Sequence, residues 1–225
     1  REAGRKPSDV RLLAVSKTFA ADAIRGVHAC GQRAFGENYV QEAEAKRALL
    51  TDLADIEWRL IGPLQSNKAA AAAQAFDAVE SIDRLRIAQR LSAARMGSAG
   101  ALDVLVQVNI SDEPTKSGVH FDDALALARD VARLPNLRLR GFMGIAAPGI
   151  GADAQRAQFR GLRQCLDDAR DDGHDVDTLS MGMSDDMDAA IAEGSTEVRI
   201  GSAIFGARAG SAAREDATRP EGGPR

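Results

Sequence analysis

The sequence predicts an α/β chain closed into a (β/α)8 TIM barrel, and three observations carry that prediction. Short apolar runs alternate with helix-period segments without a break, eight times in roughly 200 residues. Parallel strands need helical crossovers between them, and eight such strands close a sheet on itself. The residues at the C-terminal ends of the runs are polar and specific in kind, which is where a barrel carries its chemistry.

The first run is Val10–Ser16 (VRLLAVS), followed by a helical pattern through Ile24, Val27 and His28. Arg33–Phe35 is the second, with a helix over Glu42–Leu50. Ile56–Ile61 is the third; the helix after it starts near Ser66 and takes in Ala69–Ala73, an alanine run that reads as a closely packed helix. Phe76–Glu80 is the fourth, with a helix carrying Leu85, Ile87, Ala88 and Leu91. Leu102–Asn109 is the clearest strand and Phe121–Leu134 the clearest helix. Leu137–Ile145 is the sixth run, ahead of a long helix over about 152–172. Thr178–Met181 is the seventh. Ser184 then sits where an N-cap belongs, because Asp185, Asp186 and Asp188 crowd the next turn, Ala189, Ala190 and Ile191 are apolar, and Gly194 marks a stop. Glu197–Ile200 is the eighth run.

An open doubly wound sheet is the alternative architecture, but no Gly-rich dinucleotide fingerprint follows the first strand. The expected division is one barrel over residues 1–207 and a tail over 208–225, whose Gly, Ala, Ser, Arg, Glu and Pro lack apolar periodicity and read as disordered. Arg1–Ser8 reads as the end of a helix that starts upstream. A hydrophobic content of 44% supports a sizeable core. A net charge of -4 with pI near 5.5 argues against nucleic acid as a partner. There is no apolar run long enough to span a membrane and no signal-peptide pattern at the start. Cys30 and Cys165 fall in helical patterns and read as buried small hydrophobes rather than a disulfide, and the histidines are too scattered for a zinc site. The setting these features suggest is cytoplasmic.

Two stretches organise the functional reading. Leu179-Ser180-Met181-Gly182-Met183-Ser184 and Val198-Arg199-Ile200-Gly201-Ser202 each run from a short strand into a small-residue turn. Backbone N–H groups at 183–186 and 201–202 are expected to point out of two adjacent turns and form a phosphate cradle, with Arg199 adding a permanent positive charge. Loops after the last two strands are a recurrent phosphate site in such barrels. The other strand ends are Ser16-Lys17, Gly36-Glu37-Asn38, Ile61-Gly62, Ser81, Gln107 with Asn109, and Met143-Gly144.

Lys17 is the only lysine at any strand end. An amine at an apolar barrel mouth near an arginine loses its proton more easily than a free one, as Schiff-base formation requires. A phosphorylated aldehyde is the simplest ligand that uses both features, and pyridoxal 5′-phosphate (PLP) is the commonest. Asn38 reads equally as a helix cap, Lys116 as a solvated turn, and Met143, Met181 and Met183 as pocket walls.

With these residues assembled, the chain resembles the pyridoxal phosphate homeostasis protein family, whose members share the alanine racemase N-terminal barrel. The matching segments are Leu13-Ala14-Val15-Ser16-Lys17, Phe35 through Glu42, Ile61 through Lys68, Val106-Gln107-Val108-Asn109, Lys116-Ser117-Gly118, and the two cradle stretches with Ile204-Phe205-Gly206. The resemblance implies that Lys17 holds PLP as a Schiff base, that Asn38 lies beside the ring, that Arg199 faces the pyridine nitrogen, and that Ser184, Gly201 and Ser202 hold the phosphate. With Ile61 and Met181 as walls, the expected cofactor-binding set is Lys17, Asn38, Ile61, Met181, Ser184, Arg199, Gly201 and Ser202. One departure stands out: many members carry His after the tryptophan, where this chain has Arg59.

Three functions are weighed. The leading one is a monomeric PLP carrier without robust turnover that supplies PLP-dependent apoenzymes. The second is a PLP-dependent amino-acid racemase, and the third a Schiff-base aldolase acting on a sugar phosphate. Racemisation needs a base on each face of the substrate; this chain has one tyrosine, Tyr39, and only a polar stretch after Phe205, so the carrier reading leads.

Overall fold

A computed structural model describes residues 3–97 and 100–206 and gives a closed barrel of eight parallel strands in sequence order. The strands are β1 (Arg11–Val15), β2 (Ala34–Glu37), β3 (Glu57–Leu60), β4 (Ala78–Ile82), β5 (Leu102–Val108), β6 (Leu137–Gly144), β7 (Thr178–Ser180) and β8 (Glu197–Ile200). They alternate with α1 (Ala21–Ala29), α2 (Val40–Leu49), α3 (Ala69–Ala75), α4 (Leu85–Ala94), α5 (Phe121–Ala132), α6 (Ala152–Asp171), α7 (Met187–Ala192) and α8 (Ser202–Phe205). The seam closes where β1 pairs with β8, with Arg11 opposite Glu197 and Ala14 opposite Ile200.

The strand period of two divides the side chains between two environments. Ala14, Phe35, Trp58, Leu60, Val104, Val106 and Phe142 face the helices and form the main apolar layer with Ile24, Ile87, Leu91, Phe159 and Leu162. The alternate positions point into the barrel, where charged residues join the apolar Leu13 and Leu105. The alanine run forms α3 as expected, after a 3₁₀ turn at Ser66–Lys68. Ala69, Ala72, Ala73 and Ala75 are all buried, so their small side chains let the helix pack closely, chiefly against α4.

One register shift occurs in the β5–β6 ladder between Val104 and Leu105, and Gly141 absorbs it. Its φ is +147°, and a Cβ there would lie 2.0 Å from the carbonyl oxygen of Thr178, so only glycine fits. Among the described residues, no helix is long and apolar enough to cross a membrane.

Three expectations need correction. A single 3₁₀ turn, Pro7–Asp9, precedes β1 where the end of a longer helix was expected. Cys30 is exposed, because it follows the last turn of α1 instead of facing the sheet; Cys165 is buried. Ser184 is not the cap of α7: that helix starts at Met187, with Asp186 at the cap position. The Asp186 carboxylate accepts from the Met183 N–H at 2.5 Å, and this bond closes a separate turn over 184–186 before the helix begins. The expected tail over 208–225 lies outside the described residues.

Candidate functional site at the barrel mouth

A cavity of about 700 Å³ opens at the C-terminal end of the strands, within the range typical of small-molecule sites. Lys17, Asn38, Ile61, Ser184, Arg199, Gly201 and Ser202 all line it, together with Val15, Phe19, Gly62, Gln107, Lys116, Ile145 and Met183. Residues from seven of the eight strand ends thus converge on one space. The Met181 side chain does not line it: β7 ends at Ser180, whose side chain takes the inward position, and Met181 lies in the apolar layer facing the helices.

The loop bearing Lys17 is fixed from both sides. Lys46 of α2 is 6% exposed and donates to the Ser16 carbonyl at 2.8 Å, to Glu37 Oε1 at 2.7 Å and to Glu42 Oε1 at 2.7 Å. Ser16 Oγ donates to the same Glu37 oxygen at 2.6 Å, and the Thr18 N–H donates to Glu42 at 2.6 Å. Thr18 has a φ of +69°, a left-handed conformation costly for a β-branched residue and held here by the Glu42 bond. Burial pushes the Glu37 carboxyl above its ordinary range, against the bonds from Lys46 and Ser16. Phe19, two residues past Lys17, stacks on Phe205 of α8 with ring centroids 5.0 Å apart, tying this loop to the turn after β8.

Asn38 is set by backbone crowding. A Cβ at Gly62 would lie 2.3 Å from the Asn38 carbonyl oxygen, so the turns after β2 and β3 meet at van der Waals distance only because residue 62 is glycine. The loop after β5 doubles back on its own strand: the Val119 N–H donates to the Gln107 carbonyl and the Asn109 N–H to the Val119 carbonyl. Asn109 spends its side-chain amide on the Glu113 carbonyl, so its part is to shape the loop that brings Lys116 to the cavity rim.

The proposed anion end is narrower than the sequence suggests. Hydrogen bonds inside the 183–186 turn engage the N–H groups of Met183 and Asp186. Ser184, Gly201 and Ser202 line the cavity at this end, and the first backbone N–H groups at 201–202 have no intrahelical acceptor.

Arg199 is 4% exposed. Its Nη1 donates to Ser180 Oγ at 2.8 Å and its Nη2 to the Gly144 carbonyl at 2.8 Å. Below it, the barrel interior holds a buried ionic network that periodicity could not reveal. Ser180 Oγ donates to Glu80 Oε2 at 2.5 Å, Arg59 Nε to Glu80 Oε1 at 2.6 Å, and Arg59 Nη1 to Glu57 Oε1 at 2.9 Å. Burial would raise the Glu80 carboxyl, but the two arginines outweigh it and hold it below its ordinary range. Burial and the neighbouring Glu80 charge push Glu197 up to about 8. Burial lowers the Arg199 guanidinium, with Glu80 and Glu197 pulling the other way.

A second concavity, of about 760 Å³, opens at the N-terminal end. Three ion pairs cross it: Arg11 of β1 with Glu57 of β3, Arg138 of β6 with Asp103 of β5, and Arg140 of β6 with Asp177 beside β7.

The chain matches the model of the alanine racemase N-terminal domain family over residues 1–209. It is 55% identical over 206 residues to the pyridoxal phosphate homeostasis protein of Pseudomonas aeruginosa, covering 92% of this chain and 88% of that one. The corresponding Escherichia coli protein is 51% identical over 207 residues, covering 91% and 88%. The chain belongs to the pyridoxal phosphate homeostasis protein family. Among solved structures, PipY of Synechococcus elongatus with PLP bound superposes with a TM-score of 0.83 at 39% identity, covering 91% of this chain and 96% of PipY. The family resemblance read from the sequence is therefore correct, and so is the barrel it implied.

Proposed function

We propose that this chain holds pyridoxal 5′-phosphate in the barrel mouth, attached at Lys17, and carries it without robust catalytic turnover. The observation that supports this most is the convergence, in one cavity of about 700 Å³, of a strand-end lysine, a buried arginine and the hydroxyls of two serines. Each matches a part of the cofactor: an amine for the aldehyde, donors for the phosphate, and a guanidinium for the ring nitrogen. Val15, Ile61, Ile145 and Met183 supply apolar walls for an aromatic ring. The names of the relatives and the PLP-bound state of PipY point the same way.

When bound, PLP supplies an aldehyde that condenses reversibly with an amine. The protein's part is to hold Lys17 at a fixed loop position through Ser16 and Thr18, and to anchor the phosphate with Ser184, Gly201 and Ser202. The carrier reading is favoured over racemisation because Tyr39, the single tyrosine, is 58% exposed and outside the cavity lining, so it is not placed to serve as a second base. The same reading has the chain acting as a monomer in the cytoplasm and releasing PLP to dependent apoenzymes.

The test is equilibrium binding of PLP by the apoprotein, followed by visible absorbance, beside the Lys17→Ala variant. A visible band that appears with PLP and is lost in the variant supports the reading. Unchanged uptake and an unchanged band in Lys17→Ala reject it. Steady amino-acid racemisation near ~1 s⁻¹, in the ordinary enzyme range and abolished by Lys17→Ala, would replace the carrier with an enzyme.

A further inference from the structure

The buried network below the cavity has a direction that follows from donor and acceptor chemistry alone. Arginine only donates, so Ser180 Oγ must be the acceptor of the Arg199 bond at 2.8 Å. The single O–H of Ser180 is then available for one acceptor, and Glu80 Oε2 lies 2.5 Å away. Glu80 therefore reaches Arg199 through one hydroxyl, across 100 residues of sequence from Ser180. Its other oxygen accepts from Arg59 Nε at 2.6 Å, so one fully buried carboxylate stands between two buried guanidinium groups.

This arrangement constrains Arg199 more tightly than a charge pair alone would. Two of its N–H groups are committed, one to Ser180 and one to the Gly144 carbonyl. Those bonds fix the plane of the guanidinium and decide which edge faces the cavity that Arg199 lines. Without Glu80, the arginine would lose the strongest of its nearby counter-charges at a site where it is 4% exposed. Removing the partner of a buried charge leaves that charge uncompensated, so the guanidinium is no longer held in this one orientation. Arg59, the residue that departs from the family pattern, acquires a role here: it is the outer partner that holds Glu80 in place from the opposite side.

We propose that Glu80 and Ser180 are positioning residues for Arg199, and that together they set the affinity of the cavity for a ligand with an acceptor ring nitrogen. The proposal rests on the reading that PLP occupies the cavity, and it assigns to this chain two residues that do not line the cavity at all.

The experiment compares the parent protein with Ser180→Ala and Glu80→Gln, using two ligands: PLP, and the PLP analogue in which the ring nitrogen is replaced by C–H. Thermal melts and far-ultraviolet circular dichroism confirm folding; if Glu80→Gln does not fold, Ser180→Ala, which removes only a hydroxyl, decides the matter. PLP affinity should fall about tenfold in either variant, as expected for loss of one bond to a charged group, and the visible maximum of bound PLP should shift. The nitrogen-free analogue should bind parent and variants alike, to within about twofold. Equal losses for both ligands would show a general disturbance of the cavity and overturn the proposal. Unchanged PLP affinity in both variants would overturn it too, while leaving the carrier reading intact. If the parent protein takes up no PLP, the carrier reading and this assignment fall together.

Discussion

Replacing Lys46 with methionine should destabilise the barrel and loosen the loop that carries Lys17. Methionine keeps the aliphatic length and removes the ammonium. Glu37 is fully buried, its Oε1 loses one of two donors, and its Oε2 has no partner to begin with. Breaking a buried ion pair by removing one partner costs about 3–5 kcal/mol, a large share of the roughly 5–15 kcal/mol that stabilises a domain. At roughly 2–4 °C per kcal/mol for a chain of this size, Tm should drop by about 6–20 °C. The pH dependence has a definite sign. Burial already raises Glu37 and Lys46 opposes that rise, so in the variant the folded-state value climbs further. A carboxyl with a raised folded value contributes stability that is lost as pH rises through it. The Tm deficit should therefore be small near pH 4 and grow toward neutrality. The second readout is binding: PLP affinity should fall more than that of pyridoxine 5′-phosphate, which has no aldehyde to react with Lys17. A Tm within about 2 °C of the parent at pH 7, or equal losses for the two ligands, would show that Lys46 does not hold the loop.

Three further outcomes are expected. Ser184→Ala should weaken PLP binding by about 1–3 kcal/mol, with the melt little changed, because an anionic acceptor loses one donor; isothermal titration checks this. Gly62→Ala places a methyl 2.3 Å from the Asn38 carbonyl, so the two turns must part, and both Tm and PLP affinity should fall. Glu197, pushed up to about 8 from an ordinary 4.5, keeps a proton in the folded state that the unfolded chain releases. Its contribution is complete below the ordinary value and fades as pH rises toward 8, so Glu197→Gln should gain stability relative to the parent over that interval in melts run across the range.

Much of the architecture was legible because strand and helix periods are local properties. The run at Val10–Ser16 became β1, Glu197–Ile200 was read with both ends correct, and the strand-end rule placed Lys17, Asn38, Ile61, Ser184, Arg199, Gly201 and Ser202 around one cavity. Met181 shows the limit of that rule. In a three-residue strand the facing of each side chain depends on where the strand stops, and ending at Ser180 sends Met181 to the helix side. The start of α7 differs for a similar reason: Ser184 and Asp186 are both residue types that cap helices, and the bond from the Met183 N–H to Asp186 closes a turn before the helix begins. The interior network could not be read locally at all. Arg59, Glu80 and Arg199 look like ordinary polar positions until closure of the barrel brings β3, β4, β7 and β8 together, and only then does Glu80 meet Arg59 directly and Arg199 through Ser180.

Attachment of PLP at Lys17 is the central claim for the mouth of the barrel. Apoprotein loaded with PLP should be reduced with borohydride, digested and mapped by mass spectrometry. The pyridoxyl group should lie on the peptide containing Lys17 in one-to-one stoichiometry, and phosphate should be retained with it. A pyridoxyl group found on Lys68 or Lys116 instead, with Lys17 unmodified, would contradict the assignment of the site.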